Sequence, residues 1–210
     1  MVKLIYFMPT SLDGFIAGET DSLDWAVPDE EISAFINDLH RPIGTYLYGR
    51  KNYETMTGWE TPDVIPNLTP AMMDFGRIWQ AADKIVYSKS LEAVSTPKTR
   101  LEREFEPQAV RDLKSQLPRD ISVAGPNLAA QAIQAGLVDE YHLLVVPMIL
   151  GGGKPVLPRN VGIKLDLMDE RRFGNGWVYL HYRTRAGLRT GAVLQMPEYR
   201  HADEQYSKGK

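Results

Sequence analysis

Apolar and polar positions follow two different periods along the first two thirds of the chain. Short apolar runs typical of buried strands occur at residues 4–8, 45–48, 84–87 and 121–124, with a brief candidate at 99–101. Between these runs, apolar residues recur at spacings of three and four, which predicts amphipathic helices. One such set is Ile32, Phe35, Ile36 and Leu39, with Asp29 placed to cap the helix. Strands that alternate with helices indicate a largely parallel sheet.

The stretch from residue 121 to residue 158 has the clearest pattern. An apolar run is followed by the turn Gly125-Pro126-Asn127, a helical pattern that begins at Leu128, a second apolar run at 142–150, and then three glycines. This order predicts a strand–turn–helix–strand unit. Backbone N–H groups and the positive end of the helix dipole point outward at such a turn, so we expect it to attract an anion such as a pyrophosphate.

The period changes after the glycines. Apolar and polar residues alternate at 163–167 and again at 178–182, on either side of Gly174-Asn175-Gly176, which predicts a terminal antiparallel hairpin. The sequence therefore predicts an α/β fold with three αβα layers and a mixed, mostly parallel central sheet. We expect one domain over residues 1–184. Residues 185–210 are polar with scattered apolar positions and are predicted to be a tail or an arm.

Composition excludes several classes of protein. A net charge of −3 and a pI near 5.8 argue against a nucleic-acid binder. The absence of cysteine excludes disulfides, cysteine-ligated zinc and a cysteine nucleophile. The four histidines show no metal-ligand spacing, so no metal site is predicted, and His142 and His181 are interpreted as structural residues within strands. No apolar run approaches the ~20 residues of a membrane span, and the first residues lead directly into a strand, so a cytoplasmic location is expected.

Four segments are expected to meet at the carboxyl edge of the parallel strands, where open α/β sheets bind ligands. They are residues 9–18, 49–53, 88–90 and 125–128. Arg50 and Lys51 at a strand-to-helix turn suit a phosphate monoester such as the 2′-phosphate of NADP, although they could equally be a solvated surface pair. Ser88 and Lys89 could extend this site or form an ordinary loop.

Two glycine-containing segments lack the spacing of common nucleotide motifs. The turn at Gly125 lacks the G-x-G-x-x-G spacing and could be only a tight connection. The segment Gly151-Gly152-Gly153-Lys154 lacks the P-loop spacing and is followed by Pro155, although its glycines still permit a close approach of backbone to a ligand.

Trp25 and Glu30 are weaker candidates. Trp25 could stack on a ligand or fill the edge of the core. Glu30 lies between Asp29 and Glu31 at the first turn of a predicted helix, where acidic residues are common because they interact favourably with the dipole.

Five motifs in this order resemble the dihydrofolate-reductase-like superfamily. They are Ser11-Leu12-Asp13-Gly14-Phe15-Ile16-Ala17, Tyr48-Gly49-Arg50-Lys51-Asn52-Tyr53-Glu54, Ala124-Gly125-Pro126-Asn127-Leu128, Leu137-Val138-Asp139-Glu140, and Val146-Pro147-Met148-Ile149-Leu150-Gly151-Gly152-Gly153-Lys154-Pro155. The resemblance covers roughly residues 2 to 184 and is nearest to the reductase domain of bifunctional riboflavin-biosynthesis deaminase/reductases and to its stand-alone relatives.

This resemblance implies NADPH as the cofactor. By motif, Arg50 and Lys51 would contact the 2′-phosphate, Ser88 and Lys89 would flank the adenosine end, and residues 125–128 would hold the pyrophosphate. Ala17 and residues 147–153 would border the nicotinamide. The cofactor residues implied in this way are Ala17, Gly49, Arg50, Lys51, Asn52, Ser88, Lys89, Gly125, Pro126, Asn127, Leu128, Pro147, Gly151 and Gly152.

The resemblance also implies catalytic roles. Trp25 has the spacing of the active-site-loop tryptophan of dihydrofolate reductases, and Glu30 falls near the acidic residue that serves pterin protonation. The chain departs from the family at Ala124-Gly125, where a glycine pair is frequent. It also lacks the cysteine ligands of the zinc deaminase partner.

The sequence thus leads to three functional hypotheses. The first is an NADPH-dependent reductase that transfers hydride to a C=N or C=O group of a pteridine-, pyrimidine- or sugar-like compound, resembling 5-amino-6-(5-phosphoribosylamino)uracil reductase. The second is a non-catalytic NADP(H)- or ligand-binding protein of the same fold, and the third is a flavin or antibiotic-type binder that uses the Trp25 region. A homodimer is expected, because the hairpin and tail offer surfaces and the family often pairs.

Overall fold

The computed structural model describes residues 2–18 and 22–185, and within them the chain forms one three-layer α/β unit. The predicted fold class is therefore confirmed. The strands are β1 (Leu4–Ser11), β2 (Phe15–Ala17), β3 (Ile43–Gly49), β4 (Asp83–Tyr87), β5 (Thr99–Glu102), β6 (Asp120–Ala124), β7 (Glu140–Val146), β8 (Lys154–Pro155), β9 (Leu165–Arg172) and β10 (Val178–Thr184). The α-helices are α1 (Glu30–His40), α2 (Arg50–Met56), α3 (Pro70–Ala81), α4 (Pro107–Gln116) and α5 (Pro126–Gln134).

Eight strands form the central sheet in the order β5-β4-β3-β6-β1-β7-β10-β9. The first six are parallel to one another, and β10 pairs antiparallel with both β7 and β9. Both β6 and β7 flank β1, so α5 crosses over that strand to connect them. The carboxyl ends of β3, β4 and β6 consequently meet at one edge of the sheet, which is where α2 and α5 begin.

Helices cover both faces of the sheet. On one face, α4 and α5 pack through Val110, Ala129 and Ile133 against apolar residues of the central strands. On the other face, α1 and α3 pack through Ile32 and Trp79 against the opposite side of the same strands. The part of the chain that the structure describes contains no helix both long and apolar enough to cross a bilayer.

Local chemistry explains where the helices begin. Asp29 caps α1 by accepting a 2.9 Å hydrogen bond from the Ile32 amide, as its position in the sequence predicts. Thr69 caps α3 in the same way through the Met72 amide, and Pro70 occupies the first helical position, where its missing N–H has no intrahelical acceptor in any case.

The strand predicted from the second apolar run of the 121–158 stretch has the wrong bounds. A strand was expected over residues 142–150, but β7 spans Glu140–Val146. Pro147 has no N–H for the ladder, and the amides of Leu150 and Gly151 donate to the Asp13 carboxylate instead of to a strand. The apolar run therefore extends beyond Val146, the last residue of the strand.

Two connecting segments also contain regular structure. Phe15–Ala17 forms β2 and pairs antiparallel with β8. The connection between α2 and α3 includes two 3-10 turns, Thr57–Glu60 and Pro62–Val64. These turns pack on α3, where the Trp59 ring lies 4.9 Å from the Phe75 ring. Of the predicted tail, residues 185–210, all but Arg185 lie outside the described residues.

Candidate functional site

A cleft of about 1000 Å³ opens at the carboxyl edge of the parallel strands. Its volume is at the upper end of the range for small-molecule sites and suits an elongated ligand. The four segments predicted to meet here all contribute. The lining includes Ile16, Ala17, Leu23, Gly49, Arg50, Lys51, Asn52, Glu54, Thr55, Tyr87, Ser88, Lys89, Arg103, Glu104, Phe105, Gly125, Pro126, Asn127, Leu128, Gln131 and Lys154.

The turns that follow β3 and β6 contact each other across the cleft floor. Gly125 has a φ of +92°, and a Cβ at this position would lie 3.5 Å from the Cβ of Asn52. A Cβ on Gly49 would lie 4.0 Å from the Leu128 Cβ. The two glycines therefore allow the backbones to approach, and Gly125 also adopts a conformation that side chains disfavour.

The start of α5 presents backbone N–H groups that have no acceptor within the helix. Gly125 is the N-cap and offers no side-chain acceptor, while Pro126 occupies the first turn. The amides of Asn127 and Leu128 fall in this turn, where amides have no intrahelical acceptor. An anion placed there would receive hydrogen bonds and a favourable interaction with the helix dipole.

Asn52 adds a second polar feature to the same floor. Its Oδ1 atom is buried and has no hydrogen-bond partner within the described structure. Buried polar atoms are nearly always hydrogen-bonded in folded proteins, so an orphaned atom beside a cleft is the pattern expected where a ligand donor completes the set.

The cleft is basic although the whole chain is slightly acidic. Its lining carries the five cations Arg50, Lys51, Lys89, Arg103 and Lys154 and the two carboxylates Glu54 and Glu104. Local charge, rather than the net charge of the protein, determines which ligands such a site attracts.

Hydrogen bonds hold several of these cations in place. The Arg50 guanidinium donates to Glu54 at 2.7 Å and to the Ser90 hydroxyl at 3.0 Å, which links α2 to the segment after β4. Arg103 donates to the backbone oxygens of Ser88 and Leu91. Lys89 pairs with Glu104 at 3.1 Å, and both side chains are largely exposed. The exposed pairs contribute little to stability, so their cations can exchange partners when an anion binds.

The β2–β8 pair forms the side of the cleft near Ala17. Ala17 pairs with Lys154, and the neighbouring Gly153 has no room for a side chain, because a Cβ there would lie 2.1 Å from the Ala17 carbonyl oxygen. Ala17 and Lys154 both line the cleft.

Pro147, Gly151 and Gly152 do not line the cleft, in contrast to the other cofactor candidates. Their loop is tied to the turn after β1: the Asp13 carboxylate accepts bonds from Leu150 N at 3.1 Å and Gly151 N at 2.7 Å. The Ser11 hydroxyl, which donates to Asp13, and these two amides lower the pKa of Asp13. The carboxylate is thereby kept charged as an acceptor for the loop.

The two catalytic candidates also lie away from the cleft lining. Trp25 donates its indole N–H to the Ser22 carbonyl and packs beside Ile32 and Phe173 on the α1 face. Glu30 accepts a 3.1 Å bond from the Ala71 amide, which places its carboxylate at the start of α3. In this structure the two residues therefore have structural contacts, and the catalytic role of each remains a prediction.

Sequence patterns did not reveal every residue of the cleft. Arg103, Phe105 and Tyr87 line it and were not candidates. Burial, with a smaller contribution from the nearby Glu102 carboxylate, raises the pKa of Tyr87 to about 12, so the phenol is neutral and can donate a hydrogen bond. Arg103 follows the short strand β5, and only the parallel pairing of β5 with β4 brings it beside Ser88.

Fold and cleft together define a dihydrofolate-reductase-like α/β protein with a basic cleft at the carboxyl edge of its sheet. The RibD C-terminal domain family matches residues 2–179, so the chain belongs to that family. In Bacillus subtilis (strain 168), YyaP is 30% identical over 196 residues, with coverage of 86% of this chain and 94% of YyaP. YwjB from the same organism is 27% identical over 183 residues, with coverage of 86% and 97%.

Solved structures share the fold. A candidate riboflavin biosynthesis protein from Shewanella sp. PV-4 superposes with a TM-score of 0.69 at 19% identity, covering 88% of this chain and 99% of that one. A diaminohydroxyphosphoribosylaminopyrimidine deaminase/5-amino-6-(5-phosphoribosylamino)uracil reductase from Thermotoga maritima superposes with a TM-score of 0.61 at 14% identity. That match covers 88% of this chain and 57% of the Thermotoga chain.

Proposed function

We propose that this protein is an NADPH-dependent reductase that acts on a C=N or C=O group of a pteridine-, pyrimidine- or sugar-like small molecule. The observation that supports the proposal most directly is the convergence of Arg50, Ser88 and Gly125 on one cleft. Membership of the RibD C-terminal domain family supports the same class of chemistry.

The residues of the cleft fit a phosphorylated dinucleotide. The amides in the first turn of α5 would bind the pyrophosphate, and Asn52 Oδ1 would accept a bond from the ligand. Arg50 and Lys51 would contact the 2′-phosphate, and Lys89 and Arg103 would add positive charge at the neighbouring strand ends. Ala17 would border the nicotinamide end.

The protein's part in the reaction is mainly to orient its ligands and to exclude water. When bound, NADPH supplies a hydride to the C=N or C=O carbon, while the nitrogen or oxygen takes a proton from solvent. Both carboxylates of the described cleft are paired with cations, Glu54 with Arg50 and Glu104 with Lys89. A water held by Glu30 would be the proton source only if Glu30 leaves the Ala71 amide.

Cofactor preference tests the proposal. NADPH and NADH should be titrated against the protein by nicotinamide fluorescence, and NADPH should bind more tightly. Arg50→Ala should weaken NADPH binding by about 10- to 100-fold, because a charge-assisted hydrogen bond contributes about 1.5–3 kcal/mol. NADH binding should change little.

Arg100→Ala is a matched control. Arg100 is about as exposed as Arg50 and also pairs with a glutamate, Glu102, at 3.1 Å, but it does not line the cleft. Equal affinity for the two cofactors, or an equal loss in both variants, would contradict the 2′-phosphate assignment.

The position of Glu30 favours a second candidate, a protein that binds NADP(H) without turnover. A panel of imines, pterins, pyrimidines and aldehydes, followed at the NADPH absorbance, distinguishes the two functions. Tight NADPH binding with no oxidation on any compound would favour the second. A yellow chromophore that copurifies with the protein would instead indicate a flavin-type ligand.

A homodimer in the cytoplasm completes the proposal. The exposed edge strand β9 supplies a candidate surface for pairing, and the tail that the sequence also suggested for this role lies outside the described residues from position 186 onward. Light scattering at micromolar concentration should give twice the chain mass of 23.7 kDa, and a monomer would remove this part of the proposal.

A further inference from the structure

A cluster of metal-ligand side chains lies apart from the cleft, at the amino end of β7. Glu140 and His142 belong to β7, and His181 belongs to the antiparallel partner β10, directly opposite His142. Glu140 is the first residue of its strand, whereas the cleft lies where the parallel strands end. The two regions share no residue.

The three side chains have the spacing of a tetrahedral metal site. Glu140 Oε2 lies 3.3 Å from His181 Nε2 and 3.7 Å from His142 Nε2. One ligand atom from each residue lies within 4.8 Å of those of the other two. Bonds of about 2.0–2.1 Å to a tetrahedral zinc ion place its ligand atoms roughly 3.3 Å apart, so small movements complete the geometry.

The histidine nitrogens are available. The Nε2 atoms of His142 and His181 are buried, and within the described structure neither makes a hydrogen bond of good geometry, although both lie near Glu140 Oε2. His142 is 8% exposed, and its Nδ1 lies 2.7 Å from the Tyr179 hydroxyl. If Nδ1 donates this bond, the Nε2 lone pair faces Glu140 and His181. Metal-ligating histidines are commonly oriented by such a bond from the other ring nitrogen.

The carboxylate can bind a cation without losing all of its present partners. Lys3 contacts Oε2 at 3.2 Å and Arg183 contacts Oε1 at 3.1 Å. The Lys3 side chain is 42% exposed and can swing into solvent, whereas Arg183 can keep Oε1 while Oε2 turns to the metal. Ligating carboxylates are typically held by such an outer hydrogen bond.

We infer that Glu140, His142 and His181 form a binding site for a first-row divalent metal ion, with zinc as the best match. Two imidazoles and one carboxylate are a frequent zinc ligand set, and they leave one tetrahedral position for solvent. Bound metal would connect β7 to β10 across the antiparallel pair and would act independently of the proposed cofactor cleft.

Metal binding to the full chain tests the inference. After treatment with EDTA and its removal, equilibrium dialysis against Zn²⁺ should give about one ion per chain at micromolar concentration. Co²⁺ should produce the visible absorption bands of a tetrahedral site. Zinc at about 100-fold above its Kd should raise the thermal midpoint by about 5 °C.

Substitutions test which residues bind the metal ion. His181→Gln and Glu140→Gln should each weaken binding by at least about 100-fold and abolish the Co²⁺ bands, with circular dichroism used to verify folding. Asp169→Asn changes a carboxylate at the position on β9 that faces His181 and should have no effect. His201→Ala controls for coordination by a histidine outside the described residues.

Three outcomes would overturn the inference: no binding by the wild type, undiminished binding by folded His181→Gln, or loss of binding in His201→Ala. None of these measurements depends on NADPH or on turnover. They therefore separate the metal site from the proposed reductase function.

Discussion

At the carboxyl edge of the sheet, the candidate site is an open cleft whose lining contains glycines. Its charged side chains include ion pairs that are exposed to solvent. At the amino end of β7, the Glu140 cluster is closed, and its carboxylate is only 2% exposed. The edge is assembled from short segments that each follow a strand, whereas the cluster exists only because β7 and β10 pair in one register. Sites of the first kind leave motifs in a sequence, and sites of the second kind do not.

The largest loss of stability is expected at Gly153, whose backbone packs closely against that of Ala17 beside the cleft. Gly153→Ala should destabilise the protein by roughly 3 kcal/mol or more, because the new methyl group overlaps the Ala17 carbonyl and the φ of +122° disfavours a side chain. Urea unfolding measures the change. Gly152→Ala is the matched control, because its methyl group meets nothing within 4 Å, and a similar loss there would contradict this explanation.

A fall in pH should destabilise the protein through His40, a buried residue at the end of α1. Burial, with a smaller contribution from the charge of His142, lowers the pKa of His40 to about 4, below the ordinary value of about 6.5. The unfolded chain therefore takes up a proton first as the pH falls. The stability that His40 contributes is fully present above pH 6.5 and is lost as the pH falls through 4, by about 2–3 kcal/mol.

Urea unfolding at several pH values between 7 and 4 should reveal this dependence. His40→Gln keeps a polar partner for the Tyr46 hydroxyl, which His40 Nδ1 contacts at 3.0 Å, but removes the titrating ring. The variant should show a shallower pH slope over the same range. An unchanged slope would show that His40 is not responsible.

Removing one carboxylate from each region compares their ion pairs directly. Glu140→Gln, measured in EDTA, should cost about 2 kcal/mol, because Lys3, Arg183 and the partly buried ring of His181 lose a common partner. Glu54→Gln at the cleft should cost about 0.5 kcal/mol or less, because its pair with Arg50 is half exposed. Equal losses would mean that burial does not distinguish the two regions.

A smaller effect than that of Glu140→Gln is expected at the start of α1. Asp29→Ala should cost about 1 kcal/mol, because the Ile32 amide loses its cap and Asn175 loses an acceptor. Asp29→Asn retains a capping oxygen and should cost only a few tenths of that, as measured by thermal unfolding. A full loss in the Asn variant would assign the effect to charge rather than to capping.

Much of the fold could be predicted because it depends on local patterns. The strand at 84–87, the cap at Asp29 and the terminal hairpin follow from periodicity and from side-chain chemistry close in sequence. The order of the strands could not be predicted, because it depends on which apolar faces pack together. The strand expected to continue to residue 150 ended at Val146 because Asp13, far away in sequence, binds the amides that would have continued it.

The residues of the candidate site also fall into two groups, those that local sequence could predict and those whose place depends on strand pairing. Residues adjacent to a predicted strand end, such as Arg50, Ser88 and Gly125, are brought together as expected. Arg103 was missed because its place depends on β5 pairing beside β4, and the role proposed for Glu30 was an extrapolation across loops of unknown length. The site residues that the sequence did not reveal are placed by the pairing of strands, which residue type alone does not indicate.

The anchoring of residues 147–151 by Asp13 has a practical consequence. Asp13 binds main-chain amides, and the Leu12 amide reaches the Met148 carbonyl, so the course of this loop does not depend on the identity of its side chains. Met148 and Ile149 are exposed and could be varied widely without unravelling the loop. Libraries randomised at these two positions would supply new surface chemistry on a fixed scaffold, and an engineer could begin there without first restabilising the protein.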